Sequence, residues 1–132
     1  MNLDSKFDTE IFRKDHPQIL AANRHLASIK PVRLAYNASG YKAGTVLAKN
    51  SVSGLFQAYN DAGSSGLNTA TCILFEAVDV SSFADSSDSA LARGIWGGEV
   101  FEDKLVGIDA NGKTDLNGRS IVDSTGVNIF KF

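Results

Sequence analysis

The sequence predicts an all-β or β-dominated domain, and three observations lead to this prediction. Short apolar segments recur about every ten residues from Pro31 to the C-terminus, a spacing typical of all-β folds. Clusters of turn-forming residues, such as Asn37–Gly40, separate these segments. The longest apolar segment, Asn68–Val80, is rich in Ile, Val, Phe and Thr, which favours a buried central strand over a helix.

Residues 1–30 lack this pattern and are predicted to form an extended N-terminal arm ahead of a single β-rich domain over residues 31–132. The arm carries the large apolar residues Phe7, Ile11 and Phe12, and Pro17 is placed to begin a short helix that runs to Leu26. Such a segment is either a frayed terminus or an arm that orders against a partner. The large apolar residues favour the second interpretation.

From Pro31 onward the apolar residues alternate with a period of two. Val32, Leu34 and Tyr36 share one face, as in a half-buried strand. The dipeptide Gly97-Gly98 interrupts a later strand, which predicts a bulge or a sharp bend at that point. The other predicted strands cover residues 44–48, 55–59, 68–80, 90–96, 99–101 and 127–132.

One short helix is predicted between Thr114 and Asp123, although Gly118 in its middle is unfavourable to helix formation. The turn signal just before it, Asp109–Gly112, is strong. The final strand ends at Phe132 with apolar residues on both faces, so it is predicted to be buried in the domain or in a subunit contact.

Composition is consistent with one globular domain: 43% of the 132 residues are hydrophobic and 21% are charged. The single Cys72 lies within the longest apolar segment, so it is interpreted as a small buried hydrophobic residue rather than a nucleophile. No charged leader precedes an apolar segment, and no run is long enough to cross a bilayer. The sequence therefore predicts neither a cleaved signal nor a membrane anchor.

The charges are unevenly distributed along the chain. Residues 1–33 contain six basic and four acidic residues, whereas the rest of the chain is acidic. Nucleic-acid binding usually requires a broad cationic surface. The acidic body therefore argues against direct contact with nucleic acid.

Catalytic and metal-binding motifs are missing from the sequence. His16 and His25 are too far apart to share an ion, and the loop that starts at Asp109 departs from the calcium-loop pattern at several ligand positions. Glu99, Glu102 and Asp103 are close enough to suggest an acid–base pair, but a solvated strand edge is the favoured interpretation, as no neighbour would raise a carboxyl pKa by burial. We therefore expect no cofactor and no enzymatic activity.

The order of motifs along the chain resembles that of the head decoration protein family of tailed phages. The resemblance lies in Ala43–Leu47, a strand ending at Tyr59 followed by a glycine-rich turn, Ala70–Asp79, and Gly98–Phe101 with Leu105. It extends over about residues 30–132. Cys72 stands where the family often has Gly, and the arm before Pro31 matches nothing in the family pattern.

The resemblance implies a small β-barrel-like or tulip-like fold and a homotrimer. Family members sit on local threefold axes of the expanded head, on the outer surface of the virion, after assembly in the host cytoplasm. They bind the major capsid protein and stabilise the shell against the pressure of the packaged DNA. Their N-terminal segment, which is flexible in the free protein, orders on the shell.

These considerations give two sets of candidate contact residues. Phe7, Ile11, Phe12 and Arg13 are predicted to bind the capsid through the arm, while Trp96, Phe130 and Phe132 are predicted to lie in the trimer contact or in the core. Two alternatives remain open: a barrel that binds single-stranded nucleic acid, and a barrel that binds a small ligand.

Overall fold

The computed structural model describes residues 19–21 and 27–132, which form a β-dominated fold with one short α-helix. Five strands close into a barrel and three form a second, smaller sheet. The barrel strands are β1 (Ser28–Ala35), β2 (Val46–Lys49), β3 (Phe56–Ala58), β4 (Ala70–Leu74) and β5 (Ser89–Gly97). The second sheet contains β6 (Glu99–Phe101), β7 (Arg119–Val122) and β8 (Asn128–Lys131), and the helix is α1 (Ala110–Asp115).

The barrel has the strand order β1-β3-β2-β4-β5, and β5 closes it by pairing with β1. The β1–β5 ladder is antiparallel and long, running from the pair Ser28 and Gly97 to the pair Ala35 and Ser89. Strand β3 runs parallel to β1, whereas the other barrel pairs are antiparallel. Closure leaves no barrel edge open to another chain.

Alternation along the strands directs one set of apolar side chains into the barrel. All five strands contribute to this inner cluster, and its β5 members are the small residues Ala90 and Ala92. Gly94 continues that row, where an added Cβ would lie 3.1 Å from Val32 Cγ1 and 3.2 Å from Cys72 Sγ. The barrel is therefore filled by side chains. The other members of the inner cluster include Leu34, Leu47, Phe56 and Leu74.

A second cluster, the outer cluster, joins the outside of the barrel wall to the three-stranded sheet. Val46, Ile73 and Ile95 come from the barrel, while Val100 and Phe130 come from the sheet. All five expose at most 1% of their surface. Because burial of a large apolar side chain contributes roughly 1.5–3 kcal/mol, this cluster holds the two sheets together as one folded unit.

The sharp bend predicted at Gly97-Gly98 is confirmed. Strand β5 ends at Gly97, and Gly98 adopts a φ of 142°. Residues other than glycine rarely adopt this backbone conformation. β6 then begins at Glu99 in the second sheet, whose order is β6-β8-β7 with antiparallel pairs. The glycine pair therefore transfers the chain from the barrel to the sheet.

The predicted short helix is present, but it lies earlier in the chain than residues 114–123. Helix α1 covers Ala110–Asp115, so only residues 114 and 115 fall within the predicted range, and Arg119–Val122 forms strand β7 instead. The Asp109 side chain caps the helix by accepting a hydrogen bond from the Gly112 N–H at 2.6 Å. Residues Asp109–Gly112, which the sequence predicted as a loop turn, form the N-cap and the first helical turn of α1.

Two residues of the predicted arm belong to the core. Ile19 exposes 1% and Leu20 exposes 3% of their surface, and Leu20 forms a β-bridge with Val100. The helix predicted to start at Pro17 therefore does not run through residues 19–21. Strand β1 also starts at Ser28, before the predicted domain boundary. The extent of the arm before Ile19 stays a prediction. Within residues 19–21 and 27–132, no helix is long and apolar enough to cross a membrane.

Candidate interaction surface

Trp96 lies on the inner side of β5, at one end of the barrel. Its ring meets the Phe56 ring edge-on with 5.9 Å between centroids, and the Lys30 ammonium group lies 5.8 Å from its centroid. The Nε1 atom is buried and finds no acceptor among the residues that the structure describes. Trp96 thus closes this end of the barrel and is only partly exposed. Its role in a trimer contact stays a prediction.

Phe130 and Phe132 stack on each other in the second sheet, with 5.4 Å between ring centroids. Phe130 is fully buried in the outer cluster, whereas Phe132 is partly exposed and packs against that cluster. The backbone of Phe132 exchanges two hydrogen bonds of 2.9 Å with Gly98. Phe130 is therefore a core residue, and Phe132 is the partly exposed member of the pair.

The structure does not bring the predicted contact residues into one patch. Trp96 packs against the inner cluster of the barrel, whereas Phe130 and Phe132 belong to the other side of the barrel wall. Phe7, Ile11, Phe12 and Arg13 lie outside the described residues, so their proposed contacts remain predictions.

The point where the arm joins the body is well defined. The Phe101 N–H donates a hydrogen bond to the Ile19 carbonyl at 2.8 Å, and the Ala21 N–H donates to the Glu99 carbonyl at 2.9 Å. Residues 19–21 therefore act as an extra antiparallel strand on the outer edge of β6. Any force on the arm is transmitted directly to the three-stranded sheet.

Three large apolar side chains are strongly exposed, and sequence reasoning did not single them out. Val52 exposes 85% of its surface at the turn between β2 and β3, Leu91 exposes 66% on the outside of β5, and Val122 exposes 65% on β7. Each lies among polar or small neighbours. The amino-acid pattern indicated only weakly that these three residues are exposed, since isolated apolar residues on a protein surface are common.

The turn that carries Val52 is held by the side chain of Asn50. Its Oδ1 atom accepts hydrogen bonds from the backbone N–H groups of Val52 and Ser53, at 2.8 and 3.2 Å. The backbone N–H of Ser51 also donates to the Ser65 carbonyl, which ties the turn to the next loop. The apex is therefore a preorganised apolar protrusion.

A surface depression of about 400 Å³ lies beside α1 and is lined by Glu102 and Asp103, two of the three acidic residues that the sequence analysis considered for acid–base chemistry; Glu99 does not line it. Glu102 accepts a short hydrogen bond from the Ser120 hydroxyl and pairs with the Lys113 ammonium group at 3.0 Å. These partners lower the pKa of Glu102, with Ser120 the larger cause. A carboxyl with a lowered pKa is a poor general acid near neutral pH, so Glu102 is suited to ion pairing.

Tyr59 links the end of β3 to the start of α1. Its hydroxyl donates to Asp109 at 2.9 Å and also lies 3.3 Å from Asp61, while its ring packs in the outer cluster. Burial, followed by the hydrogen bond to Asp109, raises the pKa of Tyr59. The tyrosine therefore stays protonated and fixes the helix cap that Asp109 provides.

Neither a nucleophile nor a metal centre is assembled by the described part of the chain. Cys72 is fully buried, and burial raises the pKa of its thiol to about 12, which makes its thiolate scarce at neutral pH. Within residues 19–21 and 27–132, no group of three His, Cys, Asp or Glu side chains could hold a metal ion.

A family model described as bacteriophage lambda head decoration protein D matches residues 13–119, a range that contains all five barrel strands, β6 and α1. No curated protein and no solved structure matches the chain.

Proposed function

From the premise that this chain belongs to the bacteriophage lambda head decoration protein family, we propose that it is a capsid cement that binds as a trimer at local threefold axes of the expanded head. The family has a structural role in the phage capsid, and the chain is a capsid decoration protein of that kind. The family match over residues 13–119 is the observation that carries the proposal. Its proposed partner is the major capsid protein, on the outer surface of the virion.

The proposed stabilisation of the head follows from the thermodynamic linkage between binding of this protein and expansion of the lattice. Packaged DNA pushes the shell outward, and a ligand that binds only the assembled, expanded lattice stabilises that lattice by mass action. A trimer that contacts several capsid subunits adds buried area across the seams between them. Binding must also discriminate against the unexpanded lattice, because a ligand shifts an equilibrium only by its differential affinity.

The arm is the proposed main anchor. Phe7, Ile11 and Phe12 would supply apolar contacts and Arg13 would supply a charge-assisted hydrogen bond to the shell. An extended segment that adds a strand to a capsid sheet edge gains backbone hydrogen bonds as well. The antiparallel pairing of residues 19–21 with β6 supports this role, because it connects the arm to the body through a rigid element.

Trp96 and Phe132 are the proposed trimer contacts within the body. Both are partly exposed aromatic residues next to buried ones, and aromatic side chains of this kind are enriched at protein interfaces. Sedimentation equilibrium of the free protein tests the trimer. A monomer at every accessible concentration, together with single copies on the head, would contradict it.

The alternative barrel functions find little support in the described residues. A small-ligand carrier needs a cavity, but the barrel interior is filled by the inner cluster. A binder of single-stranded nucleic acid needs aromatic residues on a basic face, whereas Phe56, Tyr59 and Phe75 each expose 8% of their surface or less, and the partly exposed Phe101 lies in a stretch with Glu99, Glu102 and Asp103. A filter-binding assay with oligonucleotides checks the second alternative, and we expect no retention.

Head binding is the direct test. Purified protein is mixed with expanded, undecorated heads and, separately, with unexpanded heads, and the bound copies are located by electron microscopy. We expect one trimer at each local threefold position of the expanded heads and none on the unexpanded ones. Threefold positions that stay bare on expanded heads while the protein binds elsewhere would overturn the proposal.

The contribution of the arm can be measured in the same assay. We expect a variant in which Phe7, Ile11 and Phe12 are each replaced by serine to bind expanded heads about a hundredfold more weakly, because three lost apolar anchors at roughly 1 kcal/mol each cost about 3 kcal/mol. Leu91→Ser removes an exposed apolar residue from the barrel wall and serves as the control. Equal affinities of the parent and the arm variant would exclude the arm as the anchor.

A further inference from the structure

The dipeptide Asn-Gly occurs twice in the chain, at residues 111–112 and 117–118, and the two copies lie at opposite ends of helix α1. Asparagine is among the residues most prone to spontaneous chemical change. A following glycine has no side chain to shield its backbone nitrogen, which can attack the side-chain amide of the asparagine and release ammonia. Both copies share this intrinsic reactivity, so a difference between them arises from the fold.

Asn111 lies at the start of α1, where other side chains restrain both groups that would react. Its Nδ2 atom donates a hydrogen bond to Asp61 Oδ2 at 2.8 Å. The N–H of Gly112, which is buried, donates to Asp109 Oδ1 at 2.6 Å, and the Tyr59 hydroxyl donates to the same carboxylate at 2.9 Å. Attack at Asn111 therefore requires all of these contacts to open together.

Asn117 lies just after α1 and has a φ of 57°, a left-handed conformation that asparagine tolerates. Its side chain is exposed and forms no hydrogen bond with another described residue. The backbone closes a Schellman motif, in which the Asn117 N–H donates to the Thr114 carbonyl and the Gly118 N–H to the Lys113 carbonyl, both at 2.9 Å. Only the second bond holds the attacking nitrogen, and it lies at a helix end, where local opening costs least.

We propose that Asn117 is a site of spontaneous deamidation in the folded protein and that Asn111 is protected from the same reaction. The Gly118 nitrogen bonds to Cγ of Asn117, the Cγ–Nδ2 bond breaks, and ammonia leaves with the proton from the Gly118 nitrogen. Water then opens the resulting succinimide ring at either carbonyl carbon, which gives aspartate or isoaspartate at position 117. Water is the only co-reactant, and the reaction does not depend on the proposed capsid function.

The position of Asn117 gives this reaction a structural consequence. Gly118 is packed so closely that an added Cβ would collide with the Phe130 ring and would lie 2.9 Å from the Lys131 carbonyl oxygen. Strand β7 begins at the next residue, Arg119. Isoaspartate inserts one methylene group into the backbone just before Gly118, so it shifts this close contact. The modified chain should therefore lose stability where the sheet packs on the barrel.

Peptide mapping of the aged, full-length protein tests the assignment. The folded protein is incubated in mildly alkaline buffer and digested, and mass spectrometry follows the conversion of amide to acid at each asparagine. We expect position 117 to react at least about tenfold faster than position 111. In urea the two rates should agree within about twofold, because the fold no longer distinguishes them. A rate at position 117 no greater than that at position 111 in the folded protein would overturn the proposal.

Asp61→Ala tests why Asn111 is protected. The variant removes the carboxylate that holds the Asn111 amide, so the reaction at position 111 should become about fivefold faster. The rate at position 117 should stay within about twofold of the parent rate. An unchanged rate at position 111 would overturn the protection assigned to this contact. Equal acceleration at both positions would also overturn it, because both sites would then react through general unfolding.

Asn117→Gly is the matched variant for the structural consequence. Glycine adopts a positive φ readily, so the helix end is retained while the reactive amide is removed. The isoaspartate form of the aged parent, separated by ion exchange, should unfold at a lower urea concentration than fresh parent. Aged Asn117→Gly should keep the midpoint of its fresh form. A parental midpoint for the isoaspartate form, or an equal fall in aged Asn117→Gly, would overturn the structural consequence.

Discussion

The barrel and the three-stranded sheet differ in how they pair their strand edges and bury their apolar side chains. The barrel pairs every strand with two neighbours and fills its interior with its own side chains. The sheet is open, with β7 at one edge and residues 19–21 bound to the other. One face of the sheet packs on the barrel through Val100 and Phe130, and the other carries Phe101, Ile121 and Ile129.

This difference separates the scaffold from the region that is available for contacts. A closed barrel has no free backbone donors along its edges, so it resists pairing with other chains. The sheet receives the N-terminal arm on β6 and the C-terminal residue at Gly98, and it retains a free edge at β7 within the described part of the chain. Pairing with a further strand should therefore involve the sheet rather than the barrel, while the packing of the sheet against the barrel contributes to stability.

The largest expected effect comes from breaking the junction between the two regions. Phe130→Ala removes a fully buried ring from the outer cluster and should lower the free energy of unfolding by about 3–5 kcal/mol. Urea denaturation followed by circular dichroism measures the loss. Phe132→Ala, at a partly exposed position, should cost clearly less. A loss below about 1 kcal/mol for Phe130→Ala would mean that the sheet and the barrel fold independently.

A smaller effect is expected from overfilling the barrel. Ala92 is 4% exposed and faces the inner cluster, so Ala92→Leu should cost about 1–3 kcal/mol by displacing its neighbours. Leu91→Ala changes the adjacent residue, which is exposed on the outside of the same strand, and should change stability by less than about 0.5 kcal/mol. The same urea titration compares the two. Equal costs would show that the interior has spare volume.

The Glu102 ion pair gives a pH-dependent effect of about 1 kcal/mol in the sheet region. Hydrogen bonds from Ser120 and Lys113 lower the pKa of Glu102, so its contribution is present above its ordinary pKa and is lost as pH falls through the lowered value. Glu102→Gln should reduce unfolding free energy by about 1 kcal/mol at pH 7 and by progressively less as pH falls below the ordinary pKa of glutamate. Urea titrations across this range measure it. A constant difference would exclude the ionised pair as the cause.

The smallest effect is expected at the open edge. Val122→Thr on β7 and Val52→Ser at the turn between β2 and β3 should each change unfolding free energy by less than about 0.5 kcal/mol, because both side chains are mostly exposed. Differential scanning calorimetry of the free protein compares them. A large loss at Val122 alone would show that another segment or subunit already covers the edge of the sheet.

Local patterns in the sequence predicted several of these elements well. The period-two alternation from Pro31 and the interruption at Gly97-Gly98 both correspond to observed features, because face alternation and glycine conformations are local properties. The helix was misplaced for a local reason as well. Asn111-Gly112 reads as a turn, but the Asp109 cap and the hydroxyl of Tyr59, distant in sequence, stabilise a helix there.

The features that were not predicted depend on long-range pairing. Burial of Ile19 and Leu20 arises from a bridge to β6, some eighty residues later in the chain, and no local periodicity indicates such a bridge. The roles of the predicted contact residues also depend on long-range pairing. Phe130 was expected in the core or in a trimer contact, but only its pairing register decides that it faces the barrel. The arm residues have no described contacts, so their roles rest on sequence alone.

The long ladder between β1 and β5 also affects how the protein is made. Ala35 pairs with Ser89, so the barrel cannot close until residues far along the chain have left the ribosome. The hairpin β2–β3 needs only nearby partners and can form before β5 is synthesised. We therefore expect closure to be a slow step of folding, because β1 lacks its long antiparallel partner until β5 is synthesised.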